Sequence, residues 1–199
     1  MRKVAEDLDM DFYEKGKYGL IDYLADFNLF SQGHNKSIKN LLIHVDGDKG
    51  LDIRVFDYRF VIGGGKSTQV FKQTVFYLYS PELSLPQFLL KPEHFFHKVG
   101  FFLGMKKDIN FEFYPEFSKQ YLLKGEQEND IRDTFSNDVL HFFTIEKNWS
   151  LEGRNNSLLF YNKGNRQQPE TIKDFHNKGQ LIYNMLTNKS GFGGYGEFV

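Results

Sequence analysis

The chain has 199 residues, no cysteine and a formal net charge of −1. That length suits one domain able to bury a sizeable core. Disulfides, thiol catalysis and thiolate metal sites are excluded, and the balanced charge gives no electrostatic reason to expect nucleic acid as a partner.

The N-terminus, MRKVAEDLDMDF, lacks the apolar run of a secretory signal, and no window approaches the ~18 apolar residues of a membrane span. A cytoplasmic chain is expected. Val4, Leu8 and Phe12 suggest a short amphipathic entry helix, and GLIDYLADF sets Leu20, Leu24 and Phe27 on one helical face. The period then shortens. IKNLLIHV, LDIRVFDYRFVI, TQVFKQTVFYLY and QFLL are β-branched and aromatic runs bounded by turn residues, as strands are. In the second run Ile53, Val55 and Asp57 alternate with Arg54, Phe56 and Tyr58, which predicts one strand face much more apolar than the other. Asp46-Gly47 marks a tight hairpin.

Pro92 is expected to open a helix over PEHFFHKVGFFLG, where its missing amide hydrogen does no harm. Ile131, Phe135, Val139 and Phe142 step by three or four residues as a further helix. A hairpin follows, WSLEG and SLLFYNKG, joined through Arg154-Asn155-Asn156. The last helix carries Ile172, Phe175, Gly179, Ile182 and Leu186 in one stripe. Glycine there lowers helix propensity by about 1 kcal/mol relative to alanine, so it predicts a close helix–sheet contact. Together these elements predict a single α+β domain over 1–186, a mainly antiparallel sheet of about seven or eight strands packed with about four or five helices. Residues 187–199, ending GFGGYGEFV, read as a flexible tail. Most of the 22 Phe and 11 Tyr fall on periodic positions, which favours a Phe-rich core over an aromatic ligand-binding surface.

VIGGGKST (Val61–Thr68) looks like a phosphate-binding loop. Such a loop needs a glycine where Phe60 stands and must open into a helix, whereas Thr68 leads into a strand; Gly63-Gly64-Gly65 is therefore a hairpin turn. Asp7, Asp9 and Asp11, and likewise Asp46, Asp48 and Asp52, lack the glycine and glutamate of a calcium loop and read as solvated turns. His94 and His97 could present two ligands from one helix face, but zinc needs three or four. No hydrolase motif occurs, so no catalytic residue, metal site or cofactor is assigned. The segment LKPEHFFHKVGFFLGMKK stands out. Phe95, Phe96, Val99, Phe102 and Leu103 make an apolar stripe flanked by Lys91, Lys98, Lys106 and Lys107, which suits a sheet-capping helix or a contact with apolar ligand or membrane.

The phrases VFDYRFVIGGGKS, LPQFLLKPE and DINFEFYPEFSKQYLLKG, followed by helix, hairpin and helix, resemble an uncharacterised bacterial family of domain-of-unknown-function proteins, often cyanobacterial. The resemblance runs from about Met1 to Leu186. It implies a soluble domain that in relatives often follows membrane helices, working at the cytosolic face of a membrane. Within it, Asp57-Tyr58, Pro86, Glu93 and Ser118-Lys119-Gln120-Tyr121 are read as structural polar positions. The leading functional expectation is a non-catalytic interaction or regulatory module near a membrane, with an unknown protein partner. The alternative is a binder of a lipid or other apolar molecule between sheet and helices. The third is an enzyme whose site assembles only in space.

Overall fold

The computed structural model describes residues 1–93 and 108–187. The β-branched and aromatic runs pair into one eight-stranded, wholly antiparallel sheet. Its strands are β1 (Asp11–Lys15), β2 (His34–Asp46), β3 (Leu51–Ile62), β4 (Gln69–Tyr79), β5 (Leu85–Pro92), β6 (Tyr121–Gly125), β7 (Ser150–Asn155) and β8 (Ser157–Tyr161). They lie in the order β1-β2-β3-β4-β8-β7-β5-β6. The helices among the described residues are α1 (Arg2–Asp7), α2 (Leu20–Tyr23), α3 (Asn28–Ser31), α4 (Pro115–Gln120), α5 (Glu128–Thr134), α6 (Asn137–Ile145) and α7 (Ile172–Thr187). The fold is the α+β domain that the sequence predicts.

Several boundaries differ from expectation for identifiable reasons. The entry helix ends at Asp7, and Phe12 belongs to β1, a strand too short to show a period. The helix expected through Phe27 is two single turns, α2 and α3, although Leu20, Leu24 and Phe27 are buried as predicted. The Ile131–Phe142 stripe is divided between α5 and α6, because Ser136 accepts a bond from the Val139 amide and caps a new helix. Pro92 closes β5 opposite Tyr121, a strand-end position where the missing amide costs little, and the helix expected to follow it lies, from His94 on, outside the described residues.

The faces of β3 are not unequal in burial. Ile53 and Val55 pack on one side of the sheet, and Phe56, Tyr58 and Phe60 on the other, all within 2% of full burial. The larger core lies under α4 to α7, where Trp149, Phe160 and Phe175 stack with ring centroids 4.6–5.6 Å apart. The smaller core lies under the segment holding α2 and α3, where Phe30 meets Tyr58 at 4.2 Å. The stripe on α7 is buried throughout, and a Cβ on Gly179 would stand 2.6 Å from three ring atoms of Phe76. The predicted helix–sheet approach is therefore real. The glycine run is the predicted hairpin turn between β3 and β4, with Gly63 at φ 77 and Gly65 at φ 57.

Candidate functional site

An open groove of about 930 Å³ lies between the loop leading into α4 and the neighbouring helices α5 and α6. The loop is held in place by its backbone. The Ile109 amide donates to the Leu123 carbonyl at 2.9 Å, Asp108 accepts from the Leu123 amide at 3.1 Å, and Ser118 Oγ accepts from the Phe111 amide at 2.9 Å. With the backbone fixed this way, Phe111 turns inward. Its ring sits 5.8 Å from Phe117 and 6.4 Å from Phe135, against the core. Two residues on, Phe113 turns outward and is 93% exposed. Leaving a phenylalanine ring in water forgoes about 1.5–3 kcal/mol relative to burial.

One cation marks the rim. Arg132 of α5 donates to the Asn110 carbonyl at 2.9 Å and to Glu128 at 2.7 and 3.0 Å, with its guanidinium 5.2 Å from the Phe111 ring centroid. The half-buried Phe111 and the exposed Phe113 give the groove its aromatic surface, with Phe135 and Leu140 almost wholly buried behind it and Asn110, Glu112, Arg132, Ser136 and Asn137 around it. The groove can hold an apolar chain; it presents no nucleophile paired with a base.

The residues that the sequence singled out for apolar contact, Phe95, Phe96, Lys98, Val99, Phe102 and Leu103, lie outside the described residues, as do His94, His97, Lys106 and Lys107. The groove-forming loop begins at Asp108, directly after that segment in the chain. Phe111, Phe113 and Arg132 were not assigned in sequence, because their convergence depends on a loop whose bonds follow no period.

A second polar centre was also missed. Glu152 on β7 is 3% exposed, facing the side of the sheet covered by α3. Its carboxylate accepts from the amides of Asn28 and Leu29, the first residues of α3, and from Tyr161 Oη at 2.8 Å. Burial pushes its pKa from an ordinary 4.5 up to about 7, opposed by those three donors and by the charge of Lys91. Lys91 in turn is pushed down to about 8, first by burial and then by the charge of Lys163. Nearby, Arg154 pairs with Asp26 at 2.8 Å, and Lys36 donates to the Phe30 carbonyl. These contacts fasten the short helices to the sheet. The small cleft beside Glu152, about 120 Å³, is too confined for more than a few atoms.

Two of the polar positions singled out in the sequence, Asp57 and Tyr121, make hydrogen bonds that tie neighbouring elements together. Asp57 accepts from Thr74 Oγ1 and from Asn40 Nδ2, each at 2.8 Å, and Tyr121 Oη donates to the Glu146 carbonyl at 3.1 Å. Among the described residues no three His, Asp or Glu side chains are grouped to hold a metal ion, and no helix is long and apolar enough to cross a membrane.

No family model matches the chain, and no curated protein matches it in sequence. Among solved structures, the chain is similar to a crystal structure of the mycobacterial trehalose monomycolate transport factor A, TtfA. The match has a TM-score of 0.66 and covers 96% of this chain and 93% of that one, at 10% sequence identity. It is a likeness of fold over nearly the whole of both chains.

Proposed function

We propose that this domain is a lipid- or membrane-associated module that holds the apolar part of a lipid in the groove beside Phe113. The observation that carries this reading is the exposed Phe113 ring beside the half-buried Phe111 in a groove of about 930 Å³. The fold it shares with a trehalose monomycolate transport factor supports it. Of the sequence expectations, the apolar-ligand alternative is favoured over the interaction module. Arg132 gives the groove a polar end at which a headgroup can orient.

The test is native mass spectrometry of gently purified protein, followed by titration with a fluorescent acyl lipid. A mass excess that disappears on denaturation is expected, together with saturable lipid binding. Phe113→Ser is expected to weaken that binding about tenfold or more, since the ring's transfer from water is worth about 1.5–3 kcal/mol. A bare mass with no saturable lipid signal, or equal binding by the variant, overturns the reading and returns Phe113 to the role of a protein contact.

A further inference from the structure

The overall charge of −1 conceals a concentration of cations at one place on the sheet. A cleft of about 310 Å³ crosses the ends of β2, β3 and β4 that lie towards the glycine turn, and Lys39, Arg59, Lys72 and Arg166 all line it. Asp57 is its one carboxylate. These positive side chains are brought together by register. Lys39 stands opposite Asp57, and Arg59 stands directly opposite Lys72 across the β3–β4 pair. Like charges directly opposed on a sheet destabilise it. The sequence pattern hides this arrangement, because the four cations come from three strands and a loop.

The negative charge present is already committed. Asp57 spends one oxygen on Thr74 and the other on Asn40, and Arg166 approaches it only to 3.9 Å. Arg59 donates to the Asn35 carbonyl and keeps its other guanidinium hydrogens. Lys39 and Lys72 are exposed and make no ion pair among the described residues. Arg166 is held over the cleft by its loop. There the Thr74 amide donates to the Asn165 carbonyl at 3.3 Å, and Thr74 Oγ1 accepts from the Gln167 amide at 2.9 Å. One more lysine, Lys15, stands opposite Lys39 on β1, and Lys66 lies on the β3–β4 turn.

We propose that this cleft binds a phosphate-bearing anion, with Lys39, Arg59, Lys72 and Arg166 converging on its oxygens. Four cations around one committed carboxylate leave a surplus of positive charge that a dianionic group offsets, and guanidinium forks match phosphate oxygens two at a time. The space exceeds what a phosphoryl group needs, so part of an ester can enter with it. The source of the phosphate is either a lipid headgroup at a bilayer surface or a free phosphate compound. The turn Gly63-Gly64-Gly65 is no phosphate loop, yet the hairpin arms behind it carry the charges such a ligand requires. This inference goes beyond the groove reading and stands or falls separately from it.

The experiment uses the full chain and the double variant Lys39→Glu/Lys72→Glu. Both side chains are exposed, so the fold is expected to survive, with unchanged thermal melting as the check. Two probes are run at low ionic strength: inorganic phosphate followed by amide chemical shifts, and flotation with vesicles of phosphatidylcholine alone or with added phosphatidylglycerol. Shifts at the β2–β4 ends with phosphate, lost in the variant, support the site and a soluble source. Binding only to the anionic vesicles, weakened about tenfold or more in the variant and by added salt, supports the site and a headgroup source. Lys72→Arg is expected to retain binding. No response to either probe, or undiminished binding by the double variant, overturns the proposal. Phe113→Ser run in parallel separates the two readings, since a failed groove leaves phosphate-dependent shifts unchanged.

Discussion

Replacing Glu152 by glutamine tests how the sheet holds α3. The wild-type carboxyl group is buried among the Asn28 and Leu29 amides and Tyr161 Oη, with a pKa raised from 4.5 to about 7 by burial. A carboxyl group whose folded pKa is raised binds its proton more tightly in the native state. Its contribution to stability is therefore fully present below pH 4.5 and is lost as the pH rises through 7. Each tenfold change in proton affinity corresponds to about 1.4 kcal/mol, so the loss over that window is about 3 kcal/mol. Glutamine keeps the shape and does not titrate. Its amide must face at least one of the same donors, which adds a penalty of about 1–3 kcal/mol that does not vary with pH.

The assay is urea unfolding of both proteins at several pH values between 4.5 and 8. The quantity of interest is the change in the stability gap, from which the constant penalty cancels. The gap is expected to move by about 3 kcal/mol in favour of glutamine as the pH rises. Lys91, whose group titrates near 8, enters only at the top of that range and does so in both proteins, so it too is largely removed from the gap. A flat gap would refute the reasoning. So would movement in the opposite direction, which would mean that the three donors and Lys91 outweigh burial and keep the group ionised throughout.

Two further substitutions test the packing. Gly179→Ala gains about 1 kcal/mol of helix propensity, but its Cβ meets the Phe76 ring at 2.6 Å, and the ring is wedged under α7; a net loss of about 1–3 kcal/mol in urea unfolding is expected. An unchanged or raised midpoint would show that the helix shifts freely over the sheet. At the β7–β8 turn, Asn155 sits at φ 50; alanine there is expected to cost about 1–2 kcal/mol and glycine to be nearly neutral, and equal melting temperatures for the two would contradict that assignment.

The parts legible in the sequence share one property, a local pattern or period. In helix α7 burial follows that period, whereas β4 and β8 are buried on both faces, so their apolar and aromatic runs mark strands without marking which side is covered. Where the period fails, expectation failed for a physical reason. Asp57 sits in the apolar row of β3 because Thr74 and Asn40 meet it on neighbouring strands, and those partners lie 17 residues away on either side. The two sides of β3 looked unequal because the cover over Phe56 and Tyr58 comes from α2 and α3, which are too short to announce themselves. Glu152 reads in sequence as an ordinary hairpin carboxylate. Its donors at Asn28 and Leu29 are 124 and 123 residues away, so nothing local could mark it.

The same distance argument explains why function was the least legible feature. Phe113 and Arg132 line one groove only because a loop is pinned to β6 and α4, and the four cations of the cleft come together only through strand register and the 162–168 loop. The cleft lies at β2 to β4, and the groove lies among the loop and helices beyond β5 and β6, with β8, β7 and β5 between β4 and β6 in the sheet. An aromatic-edged groove and a cationic cleft offer an amphiphile a place for its chain and another for its charge. Each can be removed without the other, by Phe113→Ser and by Lys39→Glu/Lys72→Glu. A single amphiphilic ligand or surface that spans both would lose affinity in each variant, by free energies that add when the sites act independently. If the groove variant alone weakens binding of an anionic lipid, the ligand does not reach the cleft, and the phosphate bound there belongs to a different molecule.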